Sequence, residues 1–150
     1  MTAPAVGAAR PPLPAYLLDT NILVHCVRNN ALGQRILATY GLLVLPDPPR
    51  ISIVTHGELR SLAVQFGWGL PKVQIMETLL SRFVSVPLDR PGLIQAYADL
   101  DAYSRTIGRR MGKNDLWIAA TARATGAKLL TTDADFDHLH PAFLDRDLVT

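Results

Sequence analysis

The chain has a single cysteine, Cys26, among its 150 residues. One thiol excludes an internal disulfide and a cysteine-rich zinc site. Its place in an apolar stretch suits a small buried filler. No run of about 18 apolar residues occurs, so no segment is long enough to cross a bilayer as a helix. Charge is sparse as well: Asp, Glu, Lys and Arg make up 19% of the residues, and the formal net charge is +2. That balance falls short of the electrostatic footprint of a simple DNA binder and leaves a nucleic-acid partner open. Arg outnumbers Lys, and Arg suits bidentate phosphate contacts better. What is abundant is apolar side chain, 49% of the total, enough for a globular chain with one substantial core. Residues 1–14 are Ala/Pro-rich without an apolar h-region, so they read as a flexible lead-in rather than a signal peptide. The expectation is a cytoplasmic protein with a single domain over residues 15–150.

An apolar run, Ala15-Tyr16-Leu17-Leu18, stops abruptly at Asp19 and leads through Thr20 into a helical segment at residues 21–28. A second helix over residues 31–40 ends at Gly41, a suitable C-cap. A short apolar run at 42–45 then meets the rigid loop Pro46-Asp47-Pro48-Pro49. The β-branched stretch 50–55 predicts strand two, followed by a helix over 56–66 with Glu58 in its first turn. Gly67-Trp68-Gly69-Leu70-Pro71 interrupts it, and helical spacing resumes over 72–82. Strand three, residues 83–88, is placed near a sheet edge because Pro87 cannot donate to a ladder. A longer helix over 91–107 precedes the basic loop Gly108-Arg109-Arg110-Met111-Gly112-Lys113. Asn114-Asp115 opens the helix 116–124, with Gly126 as its stop. Strand four, 127–132, runs into Asp133; a short turn or helix begins at Asp135-Phe136, and 145–149 is a last strand. Strands alternating with helices predict an α/β fold with a mainly parallel sheet covered on both faces.

In such a sheet, Asp19, Glu58, Asp115 and Asp133 all fall at junctions on the carboxyl side of strands, where open α/β folds hold ligands. Singly, each has a plainer role. Asp19 and Asp115 can cap helices, Glu58 can complement a helix dipole, and Asp133 can stabilise a turn. Together they are costly, because two like charges about 4 Å apart repel by roughly 4 kcal/mol at an effective dielectric near 20. A total stability of about 5–15 kcal/mol does not absorb several such terms unless a cation offsets them or some acids stay protonated. Hard oxygen donors without His or Cys favour Mg²⁺ or Mn²⁺ over zinc. An ion so held keeps waters and completes its shell with substrate phosphate, which points to phosphodiester hydrolysis.

The blocks Leu17-Leu18-Asp19-Thr20-Asn21-Ile22-Leu23, Ile53-Val54-Thr55-His56-Gly57-Glu58-Leu59, Asn114-Asp115-Leu116-Trp117-Ile118-Ala119-Ala120-Thr121-Ala122 and Leu129-Leu130-Thr131-Thr132-Asp133-Ala134-Asp135-Phe136 occur in that order. Together they resemble the PIN domain, and more narrowly the VapC toxins of bacterial type II toxin–antitoxin pairs. The resemblance covers about residues 16–137. It implies a Rossmann-like α/β/α sandwich and a Mg²⁺- or Mn²⁺-dependent endoribonuclease; single-stranded or loop RNA is the expected substrate, since unstacked strands can thread a narrow acidic cleft. It also implies a homodimer, and inhibition by a small VapB-like antitoxin. On this likeness Asp19 and Asp115 are the main metal ligands, and Glu58 and Asp133 complete the set directly or through water. Asn21 matches the polar position that orients the first acid, and Thr132 the hydroxyl beside the last. The Leu45-Pro46-Asp47-Pro48-Pro49 loop departs from the family's short connection and bears on dimer or antitoxin contacts rather than on the acids.

Rival readings differ at named positions. An aspartyl-phosphate phosphatase commonly carries a second Asp two residues after its nucleophile, where Asn21 stands. A phospho-receiver domain wants a Lys after a late strand, where this chain has Asp133, Asp135 and Asp137. A PIN fold kept as an RNA-binding or RNA-processing module, not acting as a toxin, has no use for a full set of clustered carboxylates. Asp135 competes with Asp133 for the fourth place, and Asp133 is preferred because it directly follows the strand. Arg109, Arg110 and Lys113 are either a solvated loop or a phosphate clamp for RNA. His138 and His140 lack a third ligand for a metal site, and Trp117 sits on an apolar helix face that favours packing over base stacking.

Overall fold

The structure, a computed structural model, describes residues 15–150; the lead-in expected at residues 1–14 lies outside the described residues. Its strands are β1 (Tyr16–Leu18), β2 (Arg50–Ser52), β3 (Val84–Val86), β4 (Lys128–Thr131) and β5 (Arg146–Leu148). They form one sheet in the order β3-β2-β1-β4-β5. Every pairing is parallel, so all five strands present their carboxyl ends at one edge. The helices are α1 (Thr20–Arg28), α2 (Ala31–Tyr40), α3 (Ile53–Gln65), α4 (Leu70–Arg82), α5 (Leu93–Thr106) and α6 (Lys113–Thr125), with a 3₁₀ helix at Ala134–Leu139. β3 lies at an edge, where Pro87 leaves no ladder bond unmade.

Strand alternation divides the core into two layers. Leu18 and Leu130 pack with Ile22, Leu23, Ile51, Leu59, Met76 and Leu80 on the α1–α4 side. Their neighbours Leu17 and Leu129 pack with Leu100, Leu116, Ile118 and Phe136 on the other. Both faces of the central strands are therefore dry, as a parallel sheet requires. On the first side, α1 and α2 cross closely at Gly33, where a Cβ would collide with the His25 carbonyl. Cys26 is a buried member of this core, and burial pushes its thiol up to about 11.

Among the boundaries that differ from the sequence expectation, three bear on how the chain reaches the site. Strand two is Arg50–Ser52 rather than 50–55, because the Ser52 side chain caps α3 by accepting from Val54 N at 3.1 Å. α3 therefore begins at Ile53, and Glu58 falls in its second turn, not its first. Pro71 is not part of a break: it occupies the first turn of α4, where a missing N–H costs nothing. α6 begins at Lys113, three residues earlier than its apolar period suggests, which places Asp115 in its first turn rather than at its cap.

Candidate active site

The register of β1 against β4 builds the buried half of the site. Tyr16, Leu17 and Leu18 pair with Lys128, Leu129 and Leu130. The next residue, Asp19, still donates its N–H to the Leu130 carbonyl at 3.0 Å. Its side chain is thus level with Thr131, whose Oγ1 donates to Asp19 Oδ2 at 2.7 Å. The other oxygen, Oδ1, accepts from Thr20 N at 2.7 Å and caps α1. Asp19 is only 4% exposed. Burial pushes its carboxyl up to about 6; the Thr131 and Thr20 hydrogen bonds pull it down, and Glu58 and Asp133 add to the rise.

A hydroxyl relay carries this arrangement to α3. Thr20 Oγ1 donates to Glu58 Oε1 at 2.9 Å and lies 3.3 Å from Thr55 Oγ1. Thr55 is fully buried. The second-turn position of Glu58 is what brings its carboxylate to Thr20, since Thr55 and Glu58 stand on one face of the helix at i, i+3 spacing.

The more exposed half comes from α6 and from the segment after β4. Carboxylate oxygens of Asp115, Asp133 and Asp135 lie within 4.8 Å of one another, the one such grouping of three metal-binding side chains among the described residues. Asp133 is fixed at both ends: its N–H donates to Thr131 Oγ1 at 2.9 Å, and its Oδ1 accepts from Asp135 N at 2.8 Å. The Asp115 carboxyl is pushed up to about 7, by burial first and then by Asp19, Asp133, Asp135 and Glu58 in turn. Asp115 thus feels every other acid of the set. Among the described residues, none of these five acids forms a salt bridge. The donors are hard oxygens, clustered and without a salt-bridge partner among the described residues, and the Asp19 and Asp115 carboxyls are raised by burial and like charge, which fits a small divalent cation.

Asp19, Glu58, Asp115 and Asp133 therefore come together, and Asp135 joins them rather than yielding its place to Asp133. Two supporting assignments need correction. Asn21 is exposed on α1, and among the described residues no hydrogen bond joins it to Asp19; the Thr20 N–H and the Thr131 hydroxyl orient that acid instead. The hydroxyl that serves both Asp19 and Asp133 belongs to Thr131, not Thr132. Counting the parallel register one residue past Leu18 and Leu130 would have found it. Arg109, Arg110 and Lys113 are exposed and precede Asp115 in the chain, with Arg109 N anchored to the Ser104 carbonyl at 2.8 Å. Trp117 packs on Tyr97 with ring centroids 4.0 Å apart, the packing role its helix face predicts. His138 is engaged by Ser104 Oγ at 2.8 Å and His140 by Arg146 N at 3.2 Å, so the two imidazoles have separate partners.

Comparison with known proteins bears on the family and the fold. The chain is 30% identical over 117 residues to Ribonuclease VapC1 of Haemophilus influenzae strain R2866, covering 77% of this chain and 84% of that one. It is 27% identical over 143 residues to Ribonuclease VapC5 of Mycobacterium tuberculosis, covering 94% and 93%. Among solved structures, VapBC-1 from nontypeable Haemophilus influenzae matches with a TM-score of 0.70 at 27% identity, over 89% of this chain and 96% of that chain. VapBC2 from Rickettsia felis, bound to a promoter DNA fragment, shares the fold with a TM-score of 0.75 at 24% identity, over 89% and 97%. Residues 16–140 match the PIN domain, a span that contains all five clustered acids, and the chain belongs to the PIN-domain family.

Proposed function

We infer that this chain is a Mg²⁺- or Mn²⁺-dependent endoribonuclease of the VapC type, the toxin of a pair completed by a VapB-like antitoxin. The observation that carries the reading is the convergence on Asp115 of Asp19, Glu58, Asp133 and Asp135 from separate places in the chain. Asp19 and Asp115 would be the main holders of the cation, with Glu58, Asp133 and Asp135 completing the set directly or through water. A cation bound there supplies Lewis acidity toward a phosphoryl oxygen and lowers the pKa of a bound water.

The chain's own residues set the stage for that chemistry. Thr131 Oγ1 and Thr20 N each engage one oxygen of the Asp19 carboxylate and fix its plane. Thr20 Oγ1 orients Glu58 in the same way. The raised Asp115 carboxyl retains a proton near neutrality and releases it when positive charge arrives, so ion binding and ionisation are linked. Arg109, Arg110 and Lys113 are exposed just before Asp115 in the chain, where positive charge would help attract a polyanion to an otherwise repulsive acidic cleft. Single-stranded or looped RNA suits the site, because unstacked nucleotides can be splayed across it. The solved VapBC complexes among its neighbours support an antitoxin partner for this chain; a homodimer and a place in the cytoplasm are part of the same proposal. No helix among the described residues is long and apolar enough to cross a membrane.

The test is incubation of total RNA with wild type and with Asp19→Asn, in Mg²⁺ and in EDTA, followed by sequencing of RNA ends. Discrete new ends that require Mg²⁺ and Asp19 are the expected result. Equal cleavage by Asp19→Asn, or none by wild type, contradicts the reading.

A further inference from the structure

Beside the acids, the protein has a second feature that the nuclease chemistry does not use. A cleft of about 490 Å³ runs along α3, lined by Val54, Gly57, Glu58, Ser61, Leu62 and Gln65, with Asn114 at the start of α6 on its other side. Its volume is within the range of small-molecule sites, roughly 300–1,000 Å³. Glu58 belongs both to this cleft and to the Thr20 relay, which ties the cleft to the site.

The lining is selective in its chemistry. Val54 and Leu62 supply an apolar part, Ser61, Gln65 and Asn114 offer hydroxyl and amide groups, and Glu58 is the one charged residue of the lining. Gln65 Nε2 donates to Ser61 Oγ at 2.9 Å, which orients the amide and leaves its oxygen able to accept. Asn114 supplies a second amide across the gap. Paired amides read the edges of nucleobases, whereas a phosphate would choose the Arg109–Lys113 loop over a wall that ends in a carboxylate.

Gly57 provides an independent sign. It lies within α3, where glycine is less favourable than alanine. A Cβ built there meets nothing within 4 Å, and its backbone is ordinary helix, so neither packing nor conformation requires glycine. Gly57 is exposed in the cleft lining, so a side chain there would enter the cleft's open space.

We propose that the α3–α6 cleft binds the base of a nucleotide flanking the scissile phosphate, with Gln65 and Asn114 as residues that set base preference and Gly57 as the floor that admits the ring. This rests on the endoribonuclease reading above. One well-placed bidentate amide discriminates between bases by about tenfold or more.

The test uses the full chain, Mn²⁺ and a pool of randomised single-stranded RNA, with cleavage positions sequenced for wild type, Gly57→Ala, Gly57→Leu and Gln65→Ala. Gly57→Leu melts no lower than wild type, since its side chain enters open space, yet raises KM about tenfold or more while Gly57→Ala has a smaller effect. Gln65→Ala relaxes the base preference at one position next to the cut and leaves the rest of the pattern intact. If wild type cleaves but both Gly57→Leu and Gln65→Ala reproduce its KM and base preference, the cleft does not hold a base. If Gly57→Leu instead changes the mass in solution while Gln65→Ala leaves the preference unchanged, a second copy occupies the cleft and the proposal is overturned. Absence of cleavage by wild type overturns the nuclease reading itself and the proposal with it.

Discussion

Asp19 and Asp115 belong to one cluster of acids, yet the protein treats them differently. Asp19 is 4% exposed and has a donor on each oxygen, from Thr20 N and Thr131 Oγ1. Asp115 is half-buried, and among the described residues no hydrogen-bond donor reaches its carboxylate. Its surroundings are instead acidic: Asp133 and Asp135 within 4.8 Å, with Asp19 and Glu58 behind them. One half of the site is an orienting frame whose geometry is complete in the protein alone. The other half is a shell of acids with no counter-charge among the described residues, which a cation would complete. Pre-organisation and affinity have thus been assigned to different residues of the same cluster.

The largest expected effects come from breaking the unfinished half. Asp115→Asn should abolish metal-dependent RNA cleavage, since even partners that merely orient a ligand cost about 10- to 100-fold when removed. The same change should raise the melting temperature of the metal-free protein by a few degrees. Relief of repulsion at this half-exposed position amounts to on the order of 1 kcal/mol after solvent screening. Calorimetry without metal checks the second statement; a lowered melting temperature would mean that Asp115 is held by attraction after all.

A pH series separates the halves further. Free aspartates ionise near pH 4, whereas the folded chain keeps protons on Asp19 to about 6 and on Asp115 to about 7. Between about pH 4 and 7 the folded state therefore binds more protons than the unfolded one. Metal-free stability falls as pH rises through that window and levels off above it. Stabilisation by Mg²⁺ or Mn²⁺ runs the other way, growing as pH passes from 6 to 7, because the ion needs ionised ligands. A metal-free melting curve that is flat from pH 4 to 7 would contradict the clustering.

Thr131→Val tests the frame. It removes the donor to Asp19 Oδ2 and the acceptor for Asp133 N together, and should cost roughly 10- to 100-fold in cleavage. Because that bond lowers the Asp19 pKa, its loss should also move the pH profile of cleavage upward, and Thr131→Ser should restore much of both. Thr132→Val should do far less, which a side-by-side assay of the two variants decides.

The smallest effect is expected at the rim. Arg109→Ala with Arg110→Ala should weaken RNA binding modestly and lower its salt slope by about one for each phosphate no longer neutralised. Unchanged binding and slope would return that loop to the role of solvated surface.

What the sequence reveals of this site follows the same division. Each acid is legible because a strand or helix junction announces it: Leu18 before Asp19, the Gly112 break before Asp115, Leu130-Thr131 before Asp133. The parallel sheet is legible from alternation, and the edge place of β3 from Pro87. The frame is not, because it depends on register. Thr131 and Thr132 are neighbours of identical type, and only the pairing of Leu18 with Leu130 tells which one faces Asp19. For Glu58 the sequence points to the right pocket and the wrong turn of helix, since the β-branched Ile53-Val54-Thr55 run reads as strand until Ser52 caps it into α3. Asp135 reads as secondary because it is two residues past Asp133, yet the 3₁₀ turn folds it back beside that acid.

The central claim, that these acids form a metal-binding nuclease centre with Asp115 as its unfinished member, is tested most directly by Mn²⁺ titration followed by electron paramagnetic resonance of the free ion. Wild type well above neutral pH should remove Mn²⁺ from solution with a saturable isotherm that weakens below the Asp115 pKa of about 7, while Asp115→Asn should bind little or none. Equal Mn²⁺ binding by the two proteins, or none by wild type, would contradict the account.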